Sequence, residues 1–250
     1  MEVHAHTHTA RKKWTHYFWE FLMLFLAVFC GFLAEYQLEH VIESQREKQF
    51  MQSMVEDLKS DSAMFVSNIR IRKSRIDMMD SLVLLLSSSS DKHGNDIYFF
   101  GRSISPPANI FSSDGTIQQL KSSGNLRLIR EKNIAHSIMN YDQLIRQYFF
   151  EMGDEVEIRA AYRQLAIKIF DTKVFYEMEQ TNDLIKPTSN PKLLNTSPGL
   201  INELIGHIQY LKKVHQTQLM RSEHLLNEAK ELMKQINQEY HLSEGTPLEK

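Results

Sequence analysis

Apolar residues near the start of the chain form a block, not a stripe. From Phe21 to Ala34 no side chain is charged or strongly polar, and extension back to Trp14 gives 21 residues. As a helix that stretch is roughly 31 Å long, close to the hydrocarbon thickness of about 30 Å. Trp14, Tyr17 and Trp19 are amphipathic aromatics suited to the headgroup layer; Arg11, Lys12 and Lys13 precede them, and Glu35, Gln37 and Glu39 follow the block. A cleavable export signal needs small residues at the first and third positions before the cut, and Phe32 fills the third position for a cut after Ala34. Phe29, directly before Cys30, likewise departs from a lipoprotein signal. The pattern predicts an uncleaved membrane span over 14–34, preceded by a His-rich basic tail over 1–13.

Beyond the span the pattern becomes periodic. Residues 35–49 are mostly charged, with Glu35, Glu39, Glu43 and Glu47 at four-residue spacing, and read as a solvated helical stalk. Met51, Met54, Leu58, Phe65, Ile69, Ile76, Met79, Val83 and Leu86 then recur at steps of three, four or seven, the stripe of an amphipathic or coiled-coil helix. Ser87 to Ser90, Asp91, Gly94 and Asn95 end it, and a break is expected over 87–113, with Ile97 to Phe100 as a short extended piece and Pro106-Pro107 blocking helix. A short helix over 116–121, capped by Ser113 or Asp114, leads to a turn at Ser123-Gly124-Asn125. Helical stripes follow at Ile134, Ile138, Tyr141, Ile145, Tyr148 and Met152, then at Val156, Ala160, Ile167, Phe170, Val174 and Met178, with Gly153 as a bend or turn between them. Pro187, Pro191 and Pro198 bracket a loop over 182–198, and Ser197-Pro198 starts a last helix that runs to about 240, before a frayed tail over 243–250. Its seam of Ile201, Leu204, Ile208, Leu211, Leu225, Ala229, Leu232 and Ile236 is interrupted by His215, Gln218 and Ser222. That interruption is a polar layer fixing register, a rotation of the seam onto Val214 and Leu219, or a layer that touches a ligand.

Composition changes this picture little. Of 250 residues 42% are hydrophobic, and 29 Lys+Arg against 31 Asp+Glu give a net charge of −2, so nothing points to nucleic acid as a partner. Three basic residues precede the span and only Arg46 and Lys48 follow it closely, a bias toward a cytoplasmic N-terminus and a periplasmic C-terminal region. The one cysteine, Cys30, lies in the span, so the extramembrane part is held by packing without intrachain disulfides.

Sequence signatures of catalysis are absent: there is no glycine-rich phosphate loop, HExxH, GxSxG or CxxC. Neither enzyme activity nor a cofactor is expected. His4, His6 and His8 are the best metal candidates, with His16 further on, but a weakly metal-attracting tail is the favoured reading over a metal site. Glu20 lies about 9 Å inside the boundary set at Trp14, at a depth where an ionisable group is costly. His16, four residues earlier on the same face, offers it a local partner; a partner helix is the alternative. Ala27 and Gly31 form a small-xxx-small pair that lets two helices approach.

Three segments carry a resemblance. MEVHAHTHTARKKWTHYFWEFLMLFLAVFCGFLAEYQLEHVIE, REKQFMQSMVEDLKSD and IQQLKSSGNLRLIREKNIAHSIMNYDQ resemble a group of short single-span membrane proteins of Bacteroidetes. The resemblance covers residues 1–61 and 117–143 and implies a bacterial cell-membrane location with a helical periplasmic region; that family of unknown function carries over no catalytic or ligand residue. Within the last segment, Gly124 and Asn125 tolerate left-handed backbone, so they can turn the chain while Leu126, Leu128 and Ile129 pack inward. Arg127 and Arg130 then face away from the core, as part of a helix corner or as an anion or partner contact.

The expected fold is all-α: an N-terminal transmembrane helix continuing into a long helix that packs in an antiparallel extramembrane bundle over 50–242. The expected role is a membrane-anchored scaffold or interaction protein in the inner membrane, meeting the lipid bilayer and either a second copy or another membrane protein. The alternative is a sensing or regulatory subunit. With about 13 residues ahead of the span, it would signal through a partner membrane protein.

Overall fold

The computed structural model describes residues 14–88, 92–107, 110–180 and 183–242. Six α-helices account for most of them: α1 (Trp14–Ser87), α2 (Gly94–Ser103), α3 (Gly115–Ser122), α4 (Lys132–Ile169), α5 (Thr172–Met178) and α6 (Pro198–Tyr240). A 3₁₀ turn spans Asn125–Leu128, and β1 (Glu179–Gln180) pairs antiparallel with β2 (Asp183–Leu184) in a two-residue ladder. The chain divides into two compact units, Met1–Gln49 and Phe50–Lys250.

In the first unit, α1 is long and apolar enough to cross a membrane, with an 18-residue window of mean hydropathy 2.0 and no buried residue. Phe21, Phe25 and Phe29 stack at i, i+4 with ring centroids 6.3 and 5.9 Å apart, an exposed phenyl ridge along one face. Exposure persists through the charged stretch after Ala34, with one exception to the solvated stalk: Glu47 is buried.

In the second unit, α1, α4 and α6 form the frame. Tyr141 donates to Asp61 (2.8 Å), the Tyr148 hydroxyl lies 3.4 Å from Asn68 Oδ1 and Arg72 donates to Glu155 (3.0 Å), so α4 numbers rise with α1 numbers and the two helices run parallel. Along α6 the numbers fall instead: Ser222 meets Asn68 at 3.1 Å and Lys212 meets Asp80 at 2.5 Å. Parallel α1 and α4 require a return pass between them, and residues 105–107 and 110–129 belong to it. Arg75 on α1 holds the Pro107 carbonyl (3.5 Å), Asp61 accepts from the Ser113 amide (2.7 Å) and Asp57 from the Thr116 amide (3.0 Å), so this pass descends along α1. Pro106 and Pro107 keep the stretch ahead of α3 from being helical, so side chains of the neighbouring helices satisfy its backbone.

Several local expectations change. Residues 97–100 are helical, not extended, because Ile97, Tyr98, Gly101 and Ile104 recur at helical spacing and are all buried. Asp114 starts α3 without a side-chain cap, since carboxylates of α1 take that role from a distance. Of Gly124 and Asn125, only Gly124 is left-handed, at φ 66°. Gly153 does not end its helix, and α4 passes through it. Gly94 is needed where it stands, because a Cβ there would lie 2.0 Å from the Pro191 carbonyl oxygen.

Asp61 is buried and joins the return pass to α4 by accepting from both Ser113 and Tyr141. Burial pushes its carboxyl above the usual carboxylate range. Asp61→Ala should cost about 2 kcal/mol in equilibrium unfolding, because two buried donors lose their acceptor. Asp61→Asn keeps an acceptor oxygen and sheds the buried charge, and should cost less than half as much.

Candidate functional site

Two apolar clusters fill the second unit. One gathers Met51, Leu58, Phe65, Ile138, Tyr148, Leu225 and their neighbours; the other gathers Met79, Leu82, Tyr98, Tyr162, Phe170, Leu204 and Leu211. Between them each frame helix turns polar at its inward positions: Asn68 and Arg72 on α1, Glu155 and Arg159 on α4, and His215, Gln218 and Ser222 on α6, all buried.

The centre of this layer is an ion pair with no water access. Arg72 Nη1 donates to Glu155 Oε2 at 3.0 Å, with both side chains at 0% exposure. Arg72 Nε donates to Asn68 Oδ1 at 2.8 Å, and Arg159 Nη2 donates to Glu155 Oε1 at 3.0 Å. The Ser222 hydroxyl lies 3.1 Å from Asn68 Oδ1, 3.1 Å from the Tyr148 hydroxyl and 2.8 Å from the Gln218 carbonyl. A hydroxyl has one proton, so a consistent set has Tyr148 donating to Ser222 and Ser222 donating to one of the two carbonyl oxygens.

Electrostatics in the layer are unbalanced. Burial, the largest influence, works to raise the Glu155 carboxyl, but the charges of Arg72, His215 and Arg159 with the Arg72 hydrogen bond outweigh it and hold the group below its ordinary value. Burial pushes the His215 imidazole down to about 3, against the pull of Glu155, so the ring is neutral at pH 7. Burial also lowers Arg75 and Arg159, though guanidinium groups stay charged at physiological pH. Arg72, Arg75 and Arg159 thus face a single carboxylate. Arg72 Nη2, Arg75 Nη1, Arg159 Nε, both His215 nitrogens and Gln218 Oε1 are buried without a hydrogen-bond partner. Such a layer can fix register, and it offers donors to a polar or anionic guest.

His215, Gln218 and Ser222 therefore stay in the seam, and Val214 and Leu219, each half-buried, do not replace them. Their counterparts escaped a count of apolar residues alone. On α1 the seam takes Asn68, Arg72 and Leu82 in place of the half-exposed Ile69, Ile76 and Val83. On α4 it takes Glu155, Arg159, Tyr162 and Ala166, while Val156 and Ile167 are exposed. The strict three-and-four spacing of 61, 65, 68, 72, 75, 79, 82 and 86 was the available signal.

Other candidates lie elsewhere. His16 Nε2 is 3.1 Å from Glu20 Oε1, the local pair anticipated within one helical turn. Ala27, Cys30 and Gly31 lie exposed on α1, and nothing stands within 4 Å of a Cβ built at Gly31. Arg127 and Arg130 are both exposed, beside the buried Ile129. His4, His6 and His8 lie outside the described residues, and among the described residues no three His, Cys, Asp or Glu side chains group as a metal site. No family model matches the chain, and no curated protein or solved structure matches it.

The depressed His215 gives the layer a pH signature. Between pH 6.5 and about 3 the unfolded chain takes up a proton that the folded chain refuses, so stability falls as pH falls through that window. The Glu155 contribution is present above its unfolded value of 4.5 and disappears only below it, as pH drops through the lower folded value. His215→Leu should flatten the decline above pH 4.5 and leave the steeper loss below it, as read from urea midpoints across pH.

Proposed function

We propose that the chain is a membrane-anchored, non-enzymatic scaffold or interaction protein of the bacterial inner membrane, presenting a helical domain in the periplasm. The observation that carries this is the make-up of α1: one helix holds the exposed apolar segment and, from Met51 onward, a third of the frame that builds the core. The basic residues before the span favour a cytoplasmic N-terminus, and the resemblance to single-span proteins of Bacteroidetes agrees with that placement. Its partners are the lipid bilayer and either a second copy or another membrane protein, met through the exposed face that carries Ala27 and Gly31.

One observation favours a second role as a sensing or regulatory subunit. Buried nitrogens on α1, α4 and α6 stand without hydrogen-bond partners in the layer, so a small helix shift within the one register could pair some of them, and small helix shifts are a known way to pass a signal along a bundle. In this role the output passes to a partner membrane protein.

In-cell crosslinking followed by capture in mild detergent separates the two. A stable envelope complex or self-oligomer is expected for the scaffold; a histidine kinase or transporter as the main product would favour sensing. Recovery of the monomer alone would contradict both. Orientation is read on the same cells from Phe111→Cys in a Cys30→Ser background, where a maleimide confined to the periplasm should label the protein before lysis. Labelling only after lysis would place the domain in the cytoplasm.

A further inference from the structure

Beside the polar layer, where the return pass leaves α2, lies a cavity of about 460 Å³. That is within the range of about 300–1,000 Å³ typical of small-molecule sites. Its apolar wall includes Tyr162, Ala166, Ile167 and Phe175. The Tyr162 hydroxyl is already committed, donating to the Gly101 carbonyl at 2.7 Å, so the ring offers the cavity only an apolar surface.

The polar side of the cavity carries Arg102, Arg163 and Ser105. Ser105 is buried, and its hydroxyl oxygen accepts from Arg102 Nη1 at 3.1 Å and from Arg163 Nε at 3.2 Å. With both lone pairs engaged, the hydroxyl keeps its own proton to donate. The two arginines are not equivalent. Arg102 is neutralised by Glu179, whereas Arg163, among the described residues, holds the neutral carbonyl and hydroxyl of Ser105 and no carboxylate.

Charges behind the cavity reinforce the asymmetry. Arg159, one turn before Arg163 on α4, lies close enough for the two charges to repel. Arg75 Nη2 reaches the Pro107 carbonyl at the cavity wall, and its other terminal nitrogen, Nη1, is buried without a partner. Since Arg72, Arg75 and Arg159 share the single carboxylate of Glu155, the surplus near the cavity is positive.

We propose that this cavity binds a small organic carboxylate with a compact apolar body, the carboxylate received by Arg163 and the Ser105 hydroxyl and the body lying against Tyr162, Ile167 and Phe175. A monocarboxylate suits the donors better than a phosphate monoester. Two side-chain donors and one unmatched arginine match one negative charge, and the rest of the wall is too apolar for three phosphate oxygens.

The test uses the full chain in lipid nanodiscs, titrated calorimetrically against 3-phenylpropionate, 4-methylpentanoate and octanoate, with empty discs as the blank. Saturable one-site binding of at least one acid is expected, at least tenfold tighter than its neutral amide. Ile167 is exposed, so Ile167→Trp should fill the cavity without disturbing the core and abolish binding. Arg163→Gln should weaken the acid about tenfold, leave the amide unchanged and so erase the difference between them; circular dichroism of both variants checks the fold. No saturable binding of any of the three acids would overturn the proposal, as would equal affinity for acid and amide, binding unaltered in Ile167→Trp, or displacement of the acid by equimolar inorganic phosphate.

Discussion

A guanidinium with no access to water is tolerable only beside a carboxylate held just as firmly, and Arg72 and Glu155 meet that condition across two helices. Removing Glu155 strands Arg72 in a low-dielectric interior, at a cost of about 3–5 kcal/mol, and removing Arg72 leaves the carboxylate to Arg159 alone. Sliding α1 past α4 by a single turn would have the same effect. The pair therefore sets the register of the frame, and α6 must follow, because Asn68 binds both Arg72 and Ser222. The apolar residues of the two flanking clusters exclude water but would tolerate several registers; the charged layer tolerates one.

Parallel placement of α1 and α4 has a structural consequence. The chain must travel the length of the bundle between them, and two prolines keep the first part of that pass from being helical before α3 begins. Backbone groups along that pass find partners in Asp57, Asp61, Arg75 and Arg163 of the flanking helices. The same irregularity keeps the pass from packing as tightly as a helix would, and the cavity beside Ser105 opens where it leaves α2. Arg75 links the layer to the return pass, being coupled electrically to Arg72 and Arg159 and bonded to Pro107, which lines the cavity.

Much of the frame was legible in residue spacing. The start of α6 follows from Ser197-Pro198, and its seam emerges at the right positions because the apolar residues on either side of the polar interruption keep one three-and-four spacing through it, which Val214 and Leu219 do not join. On α1 and α4 the competition exists. Ile69 stands next to Asn68, and Val156 next to Glu155, so a rule that places apolar residues inside chooses the wrong member of each pair. Burial of a charge is a property of the pair and not of the residue: Arg72 can be inside only because Glu155 is, and the two are 83 residues apart. The parallel direction of α4 was hidden for a related reason. It depends on where the return pass is pinned, and the pins are carboxylates on α1 whose acceptors in sequence look like ordinary surface charges.

A double-mutant cycle at Arg72 and Glu155 addresses the register claim most directly. Arg72→Met, Glu155→Leu and the double variant are compared with the parent by equilibrium unfolding. If the buried pair sets the register, both single variants are destabilised, Glu155→Leu by about 3–5 kcal/mol, and the double variant loses well under the sum of the two, giving a coupling energy above about 2 kcal/mol. Additive losses, with a coupling energy near zero, would contradict it.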